Sequence, residues 1–207
     1  MDERAIKIER YKQLNKAAKK GNIVFAGSSL AEQFPVNELL QNFDEHHIIY
    51  NRGISGDTTI GLLNNIDTCI LDLEPAKLFI NIGSNDISLE TYNENTLMDN
   101  YKSIINIVKN KLPDTKIFIL SYYPVNPLKN GHENNDPNMF MYRNNLAIRN
   151  ANERLKKLAE EFNFTYIDLF HPLLDAQGNL KESYTIEGIH MWPLCYIEVF
   201  NILKKYF

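Results

Sequence analysis

The feature that most constrains this chain is a short pattern it uses repeatedly. A run of three to five apolar residues leads into a polar turn bearing glycine, serine or asparagine, and a helix-patterned stretch follows. The pattern is sharpest in Ile23-Val24-Phe25-Ala26-Gly27-Ser28-Ser29-Leu30. An apolar run this short, bounded by Gly21-Asn22, suits a strand buried on both faces. Gly27 would permit a sharp turn that a residue with a Cβ resists. Ile48-Ile49-Tyr50 then leads into Asn51-Arg52-Gly53-Ile54-Ser55-Gly56-Asp57-Thr58-Thr59, and Leu78–Ile82 into Gly83-Ser84-Asn85-Asp86. Ile117–Leu120 and Thr165–Leu169 supply two more strands. Five strands alternating with helices predict a parallel sheet covered on both faces, as one α/β/α domain over residues 1–207.

The helices follow from apolar spacing. Asp2 is placed to cap a helix reaching about Lys20, with Ile8, Tyr11, Leu14 and Ala18 near one face. Ser29 to about Leu40 reads as helical but interrupted near Pro35, and Asp57 or Thr58 is placed to cap the next helix. Leu97, Tyr101, Ile104, Ile105, Val108 and Leu112 give an amphipathic helix ending at Pro113-Asp114. Asp136-Pro137 is a helix-start signal, with Tyr142, Leu146, Ala151, Leu155, Leu158 and Phe162 as the apolar face beyond it. Tyr196, Phe200, Leu203 and Phe207 mark a closing helix. The irregular segment from Ser121 to Asp136 carries Tyr122, Tyr123 and His132. A connection this long inside a compact domain usually has a function, and its two tyrosines are predicted to line a substrate pocket.

Composition removes several classes of partner. A formal net charge of −4 gives no electrostatic reason to expect nucleic acid or an anionic membrane surface. No apolar run approaches the roughly 18 residues of a membrane span. The charged start, Met1-Asp2-Glu3-Arg4-Ala5-Ile6-Lys7, lacks the apolar centre of a signal peptide, so a cytoplasmic location is expected. Cys69 and Cys195 read as buried free thiols. His46-His47 are adjacent rather than four apart and read as a solvated turn, so no metal is expected. Neither a phosphate loop nor a dinucleotide fingerprint occurs, and no cofactor is expected. The Gly-x-Ser-x-Gly elbow of lipase-type hydrolases is absent as well.

In open α/β sheets, ligands bind outside the carboxyl ends of the strands. The polar groups of this chain gathered there are Ser29, Gly56, Asn85, Glu187 and His190. Serine-mediated ester hydrolysis needs a base for the hydroxyl proton and donors for the oxyanion. Histidine is the residue type best suited to be that base, and His190 is the candidate. Glu187, three residues earlier, could fix the ring tautomer through Nδ1. The backbone N–H groups of Ser29 and Gly56 and the Asn85 amide are donors of the required kind. Each also has a plain use: a serine at this junction is commonly an N-cap, Gly56 a turn, Asn85 a cap and His190 a packed loop residue.

Taken in order, these stretches resemble the SGNH hydrolases, also called GDSL esterases and lipases. Gly27-Ser28-Ser29 is similar to the family's Gly-Asp-Ser, and Asn51-Arg52-Gly53-Ile54-Ser55-Gly56 to its Asn-x-Gly-x-x-Gly. Gly83-Ser84-Asn85-Asp86 matches Gly-x-Asn-Asp in full, and Glu187-Gly188-Ile189-His190 corresponds to Asp-x-x-His. The resemblance spans about residues 22 to 205. It implies a flavodoxin-like, three-layer α/β/α sandwich with five parallel strands, Ser29 as nucleophile, His190 as base, and Ser29, Gly56 and Asn85 as the oxyanion hole. Ser28 stands where the family has a non-catalytic Asp. Glu187 stands where it has the third triad member, one methylene longer. Within the family the chain looks closest to the platelet-activating-factor acetylhydrolase-like esterases. That implies a serine esterase acting on short, acetyl-like O-esters, with an acetylated carbohydrate as first expectation for this small-molecule substrate. The alternatives are a lysophospholipase or acyl-thioesterase type of lipolytic enzyme, or a catalytically impaired ligand-binding protein on the same fold. No stable membrane binding is expected, and the sequence leaves a homodimer open.

Overall fold

The computed structural model describes residues 2–129 and 139–207. Its sheet has five parallel strands: β1 Ile23–Gly27, β2 Ile49–Gly53, β3 Lys77–Asn81, β4 Lys116–Leu120 and β5 Thr165–Ile167. They lie side by side in the order β2-β1-β3-β4-β5, the flavodoxin-like order with its switch point between β1 and β3. The helices are α1 Glu3–Asn15, α2 Ser29–Glu32, α3 Val36–Asn42, α4 Thr59–Asn64, α5 Ile66–Cys69, α6 Ser84–Ile87, α7 Glu94–Lys111, α8 Met139–Tyr142, α9 Asn145–Glu161 and α10 Pro193–Leu203.

Alternation along the strands divides the core into two layers. Val24, Ala26, Leu78, Ile80, Ile117 and Ile119 face Leu62, Tyr101, Ile104, Ile105 and Leu155 on α4, α7 and α9. Phe25, Phe79 and Phe118 face the other way, against Leu39 and Leu40 of α3 and Tyr196, Val199 and Phe200 of α10. The parallel register sets those three phenylalanines opposite one another. Their rings stack in a ladder, 4.8 Å and 4.5 Å between centroids. Each such aromatic contact is worth about 0.5–1.5 kcal/mol beyond its area, and a one-residue slip would turn the ladder to the opposite face.

The helix starts obey their caps. Asp2 accepts from the Ala5 N–H, Thr58 from Gly61, Asn93 from Asn95 and Thr96, and Asn144 from Ala147. Two expectations about the helices need correction. The first helix stops at Asn15, well short of Lys20, because the Asn15 side chain leaves the helix. It accepts from Arg52 and donates to the Thr68 carbonyl, the local competition that makes Asn a weak helix interior residue. Leu146 is exposed, since the buried face of α9 runs through Ile148, Ala151, Asn152, Leu155 and Leu158. The expected helix start at Asp136-Pro137, together with His132, lies outside the described residues.

The tyrosines expected in a pocket are core residues. Directly after β4 the chain stays extended, so successive side chains point to opposite faces. Tyr122 enters the layer under α7 and α9, and Tyr123 the layer under α10. The Tyr122 backbone is clamped by Asn152 of α9, which accepts from its N–H at 2.7 Å and donates to its carbonyl at 3.1 Å.

Candidate active site

Gly27 ends β1 against its neighbours. A Cβ there would run into the Asn81 carbonyl of β3 and the Ala31 side chain. The glycine therefore serves close approach; its φ is not positive, so the sharp turn expected of it is not what the position requires. The chain passes straight into α2, whose first residue is Ser29. Neither serine caps through its side chain: Ser28 makes no capping bond, and its buried Oγ has no partner among the described residues. Ser29 Oγ lies 3.1 Å from Nε2 of His190.

His190 arrives from 161 residues later in the chain, on the loop before α10. That loop is tied across the rim of the sheet. Asn126 donates its backbone N–H to the Gly188 carbonyl and its side-chain amide to Leu180, while Thr185 pairs with Met191. Glu187 Oε1 accepts twice from His190, from ring Nδ1 at 2.5 Å and from the backbone N–H at 3.0 Å. With Nδ1 carrying the proton toward Glu187, Nε2 is the acceptor facing Ser29. Burial works to raise the Glu187 carboxyl, but those two hydrogen bonds and the attraction of the ring outweigh it and leave the group below its ordinary value.

The other expected donors lie on two further loops after β2 and β3. Ser29 opens α2, so its N–H has no acceptor within the helix. Gly56 adopts φ +76° in open space, a left-handed conformation that glycine reaches without strain. Both of its neighbours are anchored: the Ser55 N–H donates to Glu32 of α2 at 2.5 Å, and the Asp57 carbonyl accepts from the Asn85 amide at 2.8 Å. The Gly56 N–H has no acceptor among the described residues. Asp86 fastens the Asn85 turn by accepting from the Thr59 N–H and hydroxyl.

Ser29, His190 and Glu187 are thus brought together in one hydrogen-bonded path, and the Gly56 loop is tied on one side to Glu32 of α2 and on the other to Asn85. Tyr122 and Tyr123 are not part of this group. One residue escaped the sequence reading, Arg143. It is 9% exposed, and its guanidinium donates to Asn85 Oδ1 at 2.8 Å. Its only signal was a cation inside an otherwise neutral polar break, Arg143-Asn144-Asn145, between apolar stretches. Among the described residues no group of three His, Cys, Asp or Glu side chains is placed to hold a metal, and no helix is long and apolar enough to cross a membrane. Cys69 and Cys195 are buried free thiols.

A flavodoxin-like sheet carrying a serine, a histidine and backbone donors on its carboxyl rim belongs with the ester hydrolases of this architecture. Residues 24–196 match the GDSL-like lipase/acylhydrolase family, and the chain belongs to that family. A Streptococcus pneumonia protein provisionally described as a platelet activating factor is 32% identical, with a TM-score of 0.86 covering 99% of this chain and 92% of its own. A catalytic mutant of an acetylxylan esterase from Geobacillus stearothermophilus shares the fold at 16% identity, with a TM-score of 0.67 over 90% of this chain and 94% of its own. The N-acylneuraminate cytidylyltransferase of Escherichia coli O18:K1:H7 is 28% identical over 113 residues, 55% of this chain. The chain spans about a quarter of that curated relative's length, 24%.

Proposed function

We propose that this ester hydrolase works through an acyl-enzyme on Ser29 and removes short acyl groups, acetyl first, from the oxygen of a polar alcohol. The observation that carries the reading is the continuous path from Glu187 through His190 to Ser29 Oγ, with the ring held in the tautomer that leaves Nε2 free. Ser29 Oγ attacks the carbonyl carbon as its proton moves to Nε2. The oxygen that becomes negative is met by the N–H groups of Ser29 and Gly56 and the remaining Asn85 N–H, in place before the charge forms. His190 then returns the proton to the departing alcohol, and a water repeats the sequence to free the acid.

A carbohydrate ester is favoured by the surface beside the Gly56 loop. A cleft of about 410 Å³ there, next to but not lined by Ser29 or His190, is walled mainly by the charged Glu3, Arg4, Lys7, Arg10 and Glu32, a surface suited to hydroxyls rather than to a lipid tail. An acetylxylan esterase on the same fold acts on a substrate of that kind. The working unit is read as one domain over residues 1–207, and two buried reduced thiols fit a cytoplasmic location.

Hydrolysis of p-nitrophenyl acetate by wild-type protein, and its loss in Ser29→Ala, tests the nucleophile. A fluorophosphonate should label Ser29 and leave Ser28 untouched, as read by mass spectrometry. An adduct on Ser28, or full activity in Ser29→Ala, rejects the assignment. Acyl-length and O-acetylated sugar series then test the substrate, and a preference for long acyl chains would point to a lipolytic enzyme.

A further inference from the structure

We propose that Arg143 is a positioning residue for the oxyanion hole, clamping the Asn85 amide from its carbonyl side so that a single N–H remains to meet the substrate. The proposal rests on the serine esterase reading above. An asparagine amide has two N–H donors and one carbonyl acceptor. In Asn85 the carbonyl accepts from the Arg143 guanidinium at 2.8 Å, and one Nδ2 hydrogen is engaged by the Asp57 carbonyl at 2.8 Å. One N–H is left over. Turning the amide over would set its NH2 against the guanidinium and its oxygen against the Asp57 carbonyl, so both neighbours oppose the wrong orientation.

A structural role alone accounts poorly for this arginine. Taking a guanidinium out of water is costly unless it is paired and hydrogen-bonded. Yet among the described residues no carboxylate lies within ion-pair distance of Arg143, and its buried Nε has no partner. Burial pulls its pKa down to about 10 while Glu187 acts in the opposite direction, so the group stays charged at neutral pH. A retained positive charge on the far side of the Asn85 amide polarises the N–H that faces the developing oxyanion. Being 9% exposed, the side chain is poorly placed to grip an anionic substrate directly.

The test measures kcat and KM on p-nitrophenyl acetate for Arg143→Met, Arg143→Lys, Asn85→Ala and the Arg143→Met/Asn85→Ala double variant. Deleting the Asn85 donor should cost about 10²–10³ in kcat, and Arg143→Met somewhat less, about 10- to 100-fold, each with KM nearly unchanged. The double variant should be no slower than Asn85→Ala alone, because Arg143 acts through that amide. Losses that multiply in the double variant, or a loss in Arg143→Met expressed mainly in KM, overturn the proposal. If circular dichroism shows that Arg143→Met does not fold, Arg143→Lys decides. Its smaller kcat loss must vanish on the Asn85→Ala background, and persistence there overturns the proposal. Ser29→Ala separates the two levels. If it keeps activity the esterase reading fails, whereas an inactive Ser29→Ala beside a wild-type Arg143→Met removes only the clamp.

Discussion

At the scale of single residues, Glu187 is where the chain departs from its family and where chemistry is most exposed to a small change. Its carboxylate accepts from both the ring and the backbone N–H of His190, so the extra methylene is taken up within one tight turn of four residues. Glu187→Gln should lower kcat by about 10- to 10³-fold, less than the 10⁴ seen when a serine protease loses the same carboxylate. Glu187→Asp should also lower activity, because the turn fits the longer side chain. Wild-type kcat/KM in Glu187→Gln would leave a Ser-His pair oriented by something else. The same contact predicts a pH effect on stability. The folded-state pKa of Glu187 lies below the ordinary 4.5, so its contribution is complete above that value and disappears as pH falls through the folded value. The Tm gap between wild type and Glu187→Gln should therefore be full near pH 7 and close in strong acid. Ser29, Gly56 and Asn85 could be proposed from sequence because each lies in a short motif after a strand, and Glu187 and His190 because they share a short motif before α10. Arg143 could not: what marks it is burial against Asn85, a contact across 58 residues that no local pattern encodes.

At the scale of elements, strand and helix identities were legible because the core is strictly layered, and alternation within each short strand reports two buried faces. The errors fall where a side chain bonds outside its own element. Asn15 ends α1 by reaching Arg52, and the buried face of α9 includes the polar Asn152, whose amide holds the backbone of Tyr122. Such long-range polar bonds leave no periodic trace. They also join α1 to the Gly56 loop, since Arg4 donates through Nε and Nη2 to Asp57 Oδ1 at 2.9 and 2.7 Å. Asp57 is buried, with Oδ2 unpartnered among the described residues, and its carbonyl holds Asn85. Removing one partner of a buried pair typically costs about 3–5 kcal/mol; with the Arg4 side chain 41% exposed, we expect about 1–2 kcal/mol for Arg4→Ala. The sign with pH is opposite to that of Glu187. Burial, only partly countered by Arg4, raises the Asp57 pKa above 3.8, so between the unfolded and folded values the native state retains a proton the unfolded state has lost. Stability then falls as pH rises through that window, and losing Arg4 extends the window upward. The Arg4→Ala deficit in urea unfolding should be small in acid and grow toward neutrality. A deficit independent of pH would show that Arg4 contributes packing rather than charge.

At the scale of the whole molecule, the order of strands decides which of two similar motifs reaches Ser29. Asp168-Leu169-Phe170-His171 is also an acid-x-x-histidine stretch, and by residue type it fits the family pattern better than Glu187-Gly188-Ile189-His190 does. Its local geometry is nearly the same: His171 Nδ1 lies 2.7 Å from Asp168 Oδ2, and the Phe170 and His171 backbone N–H groups donate to Oδ1. What differs is position. His171 follows β5 at the sheet edge, while Ser29 follows β1, three strands away in the order β1-β3-β4-β5. At about 4.8 Å per strand, that separates the two strand ends by roughly 14 Å. His171 instead borders a side cleft with Arg149, Asn152, Tyr166 and Phe170, and its side chain is 62% exposed. The loop carrying His190 crosses back over the rim by bonding to Val125 and Asn126, which brings its ring to Ser29. Hydrogen bonding between a histidine and a carboxylate is therefore not what selects the base; topology is. We expect His190→Ala to lower kcat on p-nitrophenyl acetate by at least about 10³-fold, as loss of a general base in such a unit does. His171→Ala should leave kcat/KM within about twofold and cost little stability, since an exposed ion pair is worth about 0–1 kcal/mol. A large loss in His171→Ala, with His190→Ala near wild type, would assign the base to the other loop and require a different nucleophile from Ser29.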